Sequence, residues 1–161
     1  METNDLERFF DDVLSRAILQ VRSRGIDVFT CAFYHDHESA AVSICVDTEE
    51  SSARLVLSDN SFNIRHFADA VAKGDLRMAA LLQANVGRSL SLGDFEMVNV
   101  ARTDLNGIRP DDGFYLSMIR SLRRHEREIV TFARDPKRLL FCASSADDEV
   151  GYVWTPEAAA E

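Results

Sequence analysis

Residues 76–101 constrain the fold most, because a helical pattern stops there at a glycine and strand-like alternation follows it. Gly87 can end a helix at low steric cost. Beyond it, the turn residues Gly93 and Asp94 separate two short runs of alternating side chains. The segment therefore predicts a helix followed by a tight antiparallel pair of strands. Before the glycine, one helical stripe at i, i+3, i+4 and i+7 is apolar and ends on an amide: Met78, Leu81, Leu82 and Asn85.

The amino-terminal part of the chain predicts one helix and a three-stranded meander. Asn4 and Glu7 form a capping box ahead of an apolar stripe that ends at Gly25. Turn residues then separate three apolar runs that are typical of strands. These strands are expected over residues 26–35, 40–46 and 53–58.

The rest of the chain predicts three helices and a closing hairpin around the strand pair. Asn60 or Ser61 can cap a helix that stops at residues 73–74, and Asp75 can cap the next one. A long helix is expected over residues 114–133, and residues 139–143 and 150–154 form the hairpin. The fold class is thus α+β, an antiparallel sheet with flanking helices in the order α-β-β-β-α-α-β-β-α, then the hairpin. A length of 161 residues fits one domain over residues 1–161, with residues 137–161 as a carboxy-terminal appendage.

The balance of acidic and basic residues argues against some classes of binding partner. The chain has 18 basic against 27 acidic residues, a net charge of -9, which argues against general binding to nucleic acid or to an anionic membrane. Its first residues, METNDLERFFDD, are acidic where a secretion signal would be basic. No apolar run approaches the ~18 residues that a membrane span needs. We therefore expect no membrane insertion and a cytoplasmic location.

No motif predicts catalysis, a cofactor or a metal. The cysteines at positions 31, 45 and 142 lie inside apolar runs and are expected to be small buried hydrophobes. His35 and His37 could share one side of a strand end as metal ligands do, but a third ligand is missing, so a solvated turn is the better interpretation. Residues 87–91 lack the final glycine of a nucleophile elbow, and no phosphate loop or dinucleotide fingerprint is present.

The order of elements, the small acidic chain and the LLQAN sequence at residues 81–85 resemble the type III secretion chaperone family, over roughly residues 5–133. Within that family the chain is similar to chaperones of plant-pathogen-type systems that serve several effectors. The resemblance implies a bacterial, non-catalytic homodimer. It would hold extended N-terminal segments of secreted effector proteins and present them to the secretion ATPase. The resemblance also places the dimer seam at Met78, Leu81, Leu82 and Asn85.

A protein that holds another chain unfolded needs exposed apolar surface and a free sheet edge. The first two strands are candidates, because the first strand is apolar on both faces. The alternative, that both faces are simply buried, is equally consistent with the pattern. The client-binding residues predicted on these strands are Val28, Phe29, Phe33, Tyr34, Val42 and Ile44.

The long helix carries an unusual positive charge, since residues 114–138 hold seven of the basic residues and three acidic ones. One interpretation is a solvated surface that makes pairs such as Arg124 with Glu128. The other is a docking patch for an acidic partner, such as the secretion machinery. The arginines in question are spread over more than one helix face: Arg120, Arg123, Arg124 and Arg127.

The rival function from another class is an immunity-type inhibitor, a small acidic protein that neutralises a bacterial toxin. Its support is two acidic segments, residues 47–50 and 147–149, which could imitate the charge of a nucleic acid.

Overall fold

The computed structural model describes residues 3–157 and has an α+β fold, a five-stranded sheet flanked by helices. The predicted fold class is confirmed, although the sheet is mixed rather than purely antiparallel. Short 3-10 helices occur at Leu92–Asp94 and Pro136–Arg138. The remaining elements in chain order are α1 (Thr3–Arg24), β1 (Thr30–Asp36), β2 (Ala41–Asp47), α2 (Glu49–Ala72), α3 (Leu76–Leu81), β3 (Met97–Asp104), α4 (Asp112–Val130), β4 (Leu140–Ala143) and β5 (Tyr152–Trp154).

The described residues divide into two compact units. Glu50–Ser91 forms the first, here called the helical unit, and contains most of α2 together with α3. The remaining described residues form the second, the sheet unit, which holds α1, α4 and all five strands.

The strand order in the sheet is β3-β2-β1-β4-β5. Neighbouring strands are antiparallel except β1 and β4, which run parallel. The cause is the path of the chain after α4. Val28 N–H donates to the Phe132 carbonyl at 3.1 Å and Leu140 N–H donates to the Phe29 carbonyl at 3.1 Å, so the chain comes alongside the start of β1. Both strands then leave in the same direction, and the predicted hairpin of β4 and β5 extends this side of the sheet.

The core of the sheet unit lies between one face of the sheet and the helices α1 and α4. Phe10 of α1 is fully buried at its centre. Its ring packs edge to face against the rings of Phe33 of β1 and Phe114 of α4, with ring centroids 5.3 Å and 5.1 Å apart. This geometry places the positive ring edges on the negative ring faces, so the three aromatic rings join the three elements specifically.

Several local predictions are confirmed. Gly25 ends α1 with a φ of 62°, in the left-handed region that glycine tolerates. The Asp75 carboxylate caps α3 by accepting from Met78 N–H. The Asp111 carboxylate caps α4 in the same manner by accepting from Phe114 N–H, although this cap was not predicted. The amino end of α1 differs from prediction, since the helix already includes Thr3 and Asn4 therefore lies inside it.

The predicted strand over residues 53–58 is wrong, because these residues belong to α2. No glycine or proline interrupts the chain between Glu49 and Ala72, so the helix runs through the apolar run that suggested a strand. Asn60 and Ser61 consequently lie in the middle of α2 and cap nothing. The predicted strand pair is also wrong, because residues 90–96 contribute a 3-10 turn and only β3 forms.

Candidate functional site

Exposed apolar side chains concentrate on the helical unit. Of fourteen large hydrophobic residues that are exposed in the described chain, nine lie between residues 50 and 91. A concentration of exposed apolar side chains is typical of sites that bind other proteins or membranes. The nine residues are Leu57, Phe62, Ile64, Phe67, Val71, Leu76, Met78, Leu81 and Val86.

Four of these side chains form a stripe along α2. Leu57, Ile64, Phe67 and Val71, with Asn60 between them, follow an alternating spacing of three and four residues. This spacing places them on one side of the helix, as in the seam of a coiled coil. We call this set the α2 stripe. The sequence contains the whole pattern, but the predicted strand over residues 53–58 divided it and left Leu57 out.

The chain after α3 is held along α2 by asparagine side chains. Asn60 Nδ2 donates to the Asn85 carbonyl at 2.9 Å, and its Oδ1 accepts from Asn85 N–H at 2.8 Å. Asn63 Nδ2 donates to the Gln83 carbonyl at 3.1 Å. These side chains bind the backbone groups that a longer helix would have used internally. The prediction that this helix ends at Gly87 is therefore wrong, since α3 ends at Leu81.

Residues 82–84, which follow α3, and α2 line a groove of about 210 Å³. Ile64 and Phe67 line one wall, and Leu82 lines the other. The Asn85 side chain supports the turn beyond, because its Oδ1 accepts from Gly87 N–H at 2.9 Å and its Nδ2 donates to the Arg88 carbonyl at 3.1 Å.

The predicted dimer residues do not form one helical stripe, because α3 ends before two of them. Met78 and Leu81 lie on α3 and are exposed by 47% and 78%. Leu82 lines the groove against α2, and the backbone of Asn85 is bound by the Asn60 side chain. All four predicted residues thus belong to the helical unit, which also contains the α2 stripe.

The predicted client-binding surface is wrong for four of its six residues. Val28, Phe33, Val42 and Ile44 are buried in the core, where they are inaccessible to a client chain. β1 and β2 are buried along nearly their whole length, and each pairs with a neighbouring strand on both edges. Phe29 and Tyr34 are half-buried, and the Arg138 guanidinium covers the Phe29 ring at 5.2 Å.

The four arginines of the predicted docking patch line one groove of about 720 Å³ at the surface of α4. Arg123 pairs with Glu157 at 2.8 Å, while Arg124 pairs with Asp11 at 3.0 Å and with Glu7 at 3.1 Å on α1. Arg124 does not pair with Glu128, which instead accepts from Arg22. The other two, Arg120 and Arg127, make no salt bridge with any residue in the range 3–157.

The acidic segments of the inhibitor hypothesis differ from each other. Residues 47–50 are not a loop, because Asp47 ends β2 in a buried position and Glu49 begins α2, where it pairs with Arg138. Residues 147–149 are exposed in the connection between β4 and β5. The second segment therefore presents three exposed acidic side chains, whereas in the first Asp47 is buried and Glu49 is paired.

The two histidines of the first hairpin lie together, and only His37 lies in the exposed turn that was predicted for both. His35 is 2% exposed, its Nδ1 lies 3.0 Å from the Tyr115 hydroxyl, and its ring lies 4.3 Å from that of His37. Burial, reinforced by the neighbouring His37 ring, lowers the pKa of His35 from 6.5 to about 4. Burial also raises the pKa of the thiols of Cys31 and Cys45, so both cysteines resist the ionisation that a nucleophile needs.

We expect His35 to make the fold weaker in mild acid. Between pH 6.5 and about pH 4, His35 is protonated in the unfolded chain but remains neutral in the folded chain. The free energy of unfolding is then unaffected by this group above pH 6.5 and falls as the pH drops toward 4, by about 1.4 kcal/mol per pH unit at the steepest. Urea unfolding across this range measures the effect.

His35→Asn should remove that part of the pH dependence, while His66→Asn, at an exposed position on α2, should leave it unchanged. Parallel pH profiles for the wild-type protein and His35→Asn would contradict the assignment.

Within residues 3–157, no helix combines the length and the apolar character that crossing a membrane requires. In the same range, His, Cys, Asp and Glu side chains form no group of three or more with the arrangement of a metal site. Comparison with family models, with curated proteins and with solved structures finds no match to this chain.

Proposed function

We propose that this protein is a non-catalytic chaperone of the bacterial cytoplasm. It binds extended N-terminal segments of secreted effector proteins, keeps them competent for secretion and presents them to a type III secretion ATPase. The observation that carries the proposal is the concentration of nine exposed large apolar side chains on the helical unit. A surface of this size and composition is costly in water unless it binds another chain.

The α2 stripe supports a homodimer as the working form. A stripe with alternating three and four residue spacing is self-complementary, so a second copy can pack against it across a two-fold axis. Met78 and Leu81 of α3 are further exposed apolar side chains of the same helical unit. In the proposed assembly, the dimer covers part of this surface and the apolar side chains of a client segment bind the part left open.

The net charge of -9 supports the same function. A protein that exposes apolar surface needs repulsion between copies to stay soluble, and a negative surface favours basic, polar client segments. The buried β1 and β2 residues are assigned to the core in this proposal and not to the client site.

Site-specific photo-crosslinking in the native host tests the function. A photoreactive amino acid at Leu81, which is 78% exposed on the helical unit, should crosslink to segments near the N-termini of several secreted proteins. The same amino acid at Leu19, 60% exposed on α1, is the control and should not. Mass spectrometry of the crosslinked peptides identifies the bound segments.

Deleting those segments from the partners should abolish the crosslinks. Crosslinking to one folded toxin, at residues distant from its N-terminus, would overturn the chaperone function and favour the immunity-type inhibitor.

A further inference from the structure

The free edge of the sheet at β5 adjoins the arginine groove of α4. Among the described residues, β5 pairs with β4 and with no other strand. Its side chains Tyr152 and Val153 are 43% and 50% exposed. An edge strand leaves alternate backbone N–H and C=O groups available to another chain, so β5 can accept a further strand.

The edge is held in place by contacts with α4. Trp154 Nε1 donates to Glu126 Oε1 at 2.7 Å, and the Trp154 ring stacks on Phe141 at 5.9 Å between centroids. Arg123 Nη2 donates to Glu157 Oε1 at 2.8 Å just beyond the strand. These contacts fix the position of β5 before any partner arrives, which lowers the entropy lost on binding.

Two adjoining grooves follow this edge and share Arg123. The first, of about 600 Å³, is lined by Ile119 of α4 and by the residues of β5. The second, of about 720 Å³, contains Arg120 and Arg127. Arg127 lies seven positions after Arg120, which corresponds to roughly 10 Å along a helix, a span that about three residues of an extended chain can match.

The charges of the second groove are only partly neutralised. Arg123 pairs with Glu126 and Glu157, and Arg124 pairs with α1. Arg120 and Arg127 make no salt bridge within residues 3–157, although the chain as a whole carries a net charge of -9. Two guanidinium groups that form no salt bridge with the described residues can bind carboxylates of a partner in a bidentate manner.

We propose that the β5 edge binds an extended acidic segment of another protein as a sixth strand of the sheet. Main-chain hydrogen bonds to β5 supply the affinity, Tyr152 and Val153 bind apolar side chains of the segment, and Arg120 and Arg127 bind its carboxylates. The residues of this surface belong to the sheet unit, and the α2 stripe belongs to the helical unit. The inference is therefore independent of the chaperone function.

A second copy of this chain fits the edge less well than an acidic segment. Pairing β5 with its own copy would bring the arginine grooves of both copies together, and like charges across an interface oppose association. An acidic segment has the opposite effect, since its carboxylates neutralise the groove.

Binding to an array of peptides that alternate valine with a randomised residue tests the proposal. The wild-type protein should enrich peptides with Asp or Glu at the randomised positions, and Arg120→Glu/Arg127→Glu should lose that enrichment. Arg8→Glu/Arg77→Glu changes the net charge equally at exposed positions outside the groove, and should keep it. A failure to enrich acidic peptides, or equal enrichment by both double variants, would overturn the proposal.

Titration of the protein with the peptide that binds most strongly on the array then locates the binding site. Trp154 is the only tryptophan of the chain, so a change in its fluorescence on titration places binding at this edge. N-methylation of alternate backbone nitrogens of the peptide should weaken binding at least ten-fold in one of the two registers. Unchanged affinity in both registers would exclude strand addition. A Trp154 signal that depends on protein concentration without peptide would instead show a second copy in the site and overturn the acidic partner.

Discussion

Phe10→Ala is expected to lower the free energy of unfolding by about 3–5 kcal/mol, a large part of the stability of a domain of this size. Phe10 is fully buried and contacts the rings of Phe33 and Phe114, which come from the sheet and from α4. Alanine leaves a cavity among three elements that cannot all move inward, so the loss includes packing as well as transfer of the ring. Urea unfolding followed by circular dichroism measures the change.

The control lies on the same helix. Leu19 is 60% exposed on α1, and Leu19→Ala should change the free energy of unfolding by less than about 0.5 kcal/mol. Similar losses for the two variants would show that α1 does not contribute its Phe10 side to the core in solution.

Ile64→Glu/Phe67→Glu is expected to convert the protein from dimer to monomer. The two residues lie in the α2 stripe, and burial of a carboxylate without a partner at each position would weaken association by roughly 1000-fold or more. Light scattering at micromolar concentration should give twice the chain mass of 18.1 kDa for the wild-type protein and 18.1 kDa for the variant.

Leu19→Glu/Leu116→Glu is the matched control, because it adds the same charge at exposed leucines of α1 and α4 in the sheet unit. This variant should stay dimeric. A wild-type protein that is monomeric under these conditions would contradict the homodimer, and a dimeric Ile64→Glu/Phe67→Glu variant would place the interface elsewhere.

The local signals that predicted structure correctly depend on few neighbours. The stop of α1 at Gly25 and the cap of Asp75 involve residues within a few positions along the chain, so the sequence contains their whole cause. The same is true of α4 and of the final hairpin, whose periodicity or turn residues decide their type.

The wrong predictions concern segments whose structure depends on contacts between residues that are distant in sequence. A short apolar run such as residues 53–58 is compatible with strand or helix, and the uninterrupted helix on both sides made it helical. The end of α3 at Leu81 depends on asparagines of α2 that lie about twenty residues earlier. The burial of His35 against Tyr115 likewise joins residues that are 80 positions apart.

The candidate sites divide in the same way. Sequence identified the arginines of α4 and the apolar helix around Met78 as candidates, because residue type and spacing are local properties. It could not show that Phe33 and Ile44 face the core, since an apolar strand has the same pattern whether its faces are buried or exposed. It also could not show that Arg120 and Arg127 share a groove next to β5, which the packing of α4 on the sheet unit decides.

By itself the sequence determined the α+β class, the negative net charge, the end of α1 and the start of α3, because these follow from composition, periodicity and capping within a few residues. Only the tertiary structure decided the strand order, the parallel pairing of β1 with β4 and which apolar side chains stay exposed. Those properties depend on which distant segments meet, and burial is the outcome of that competition for contacts rather than a property of any one segment.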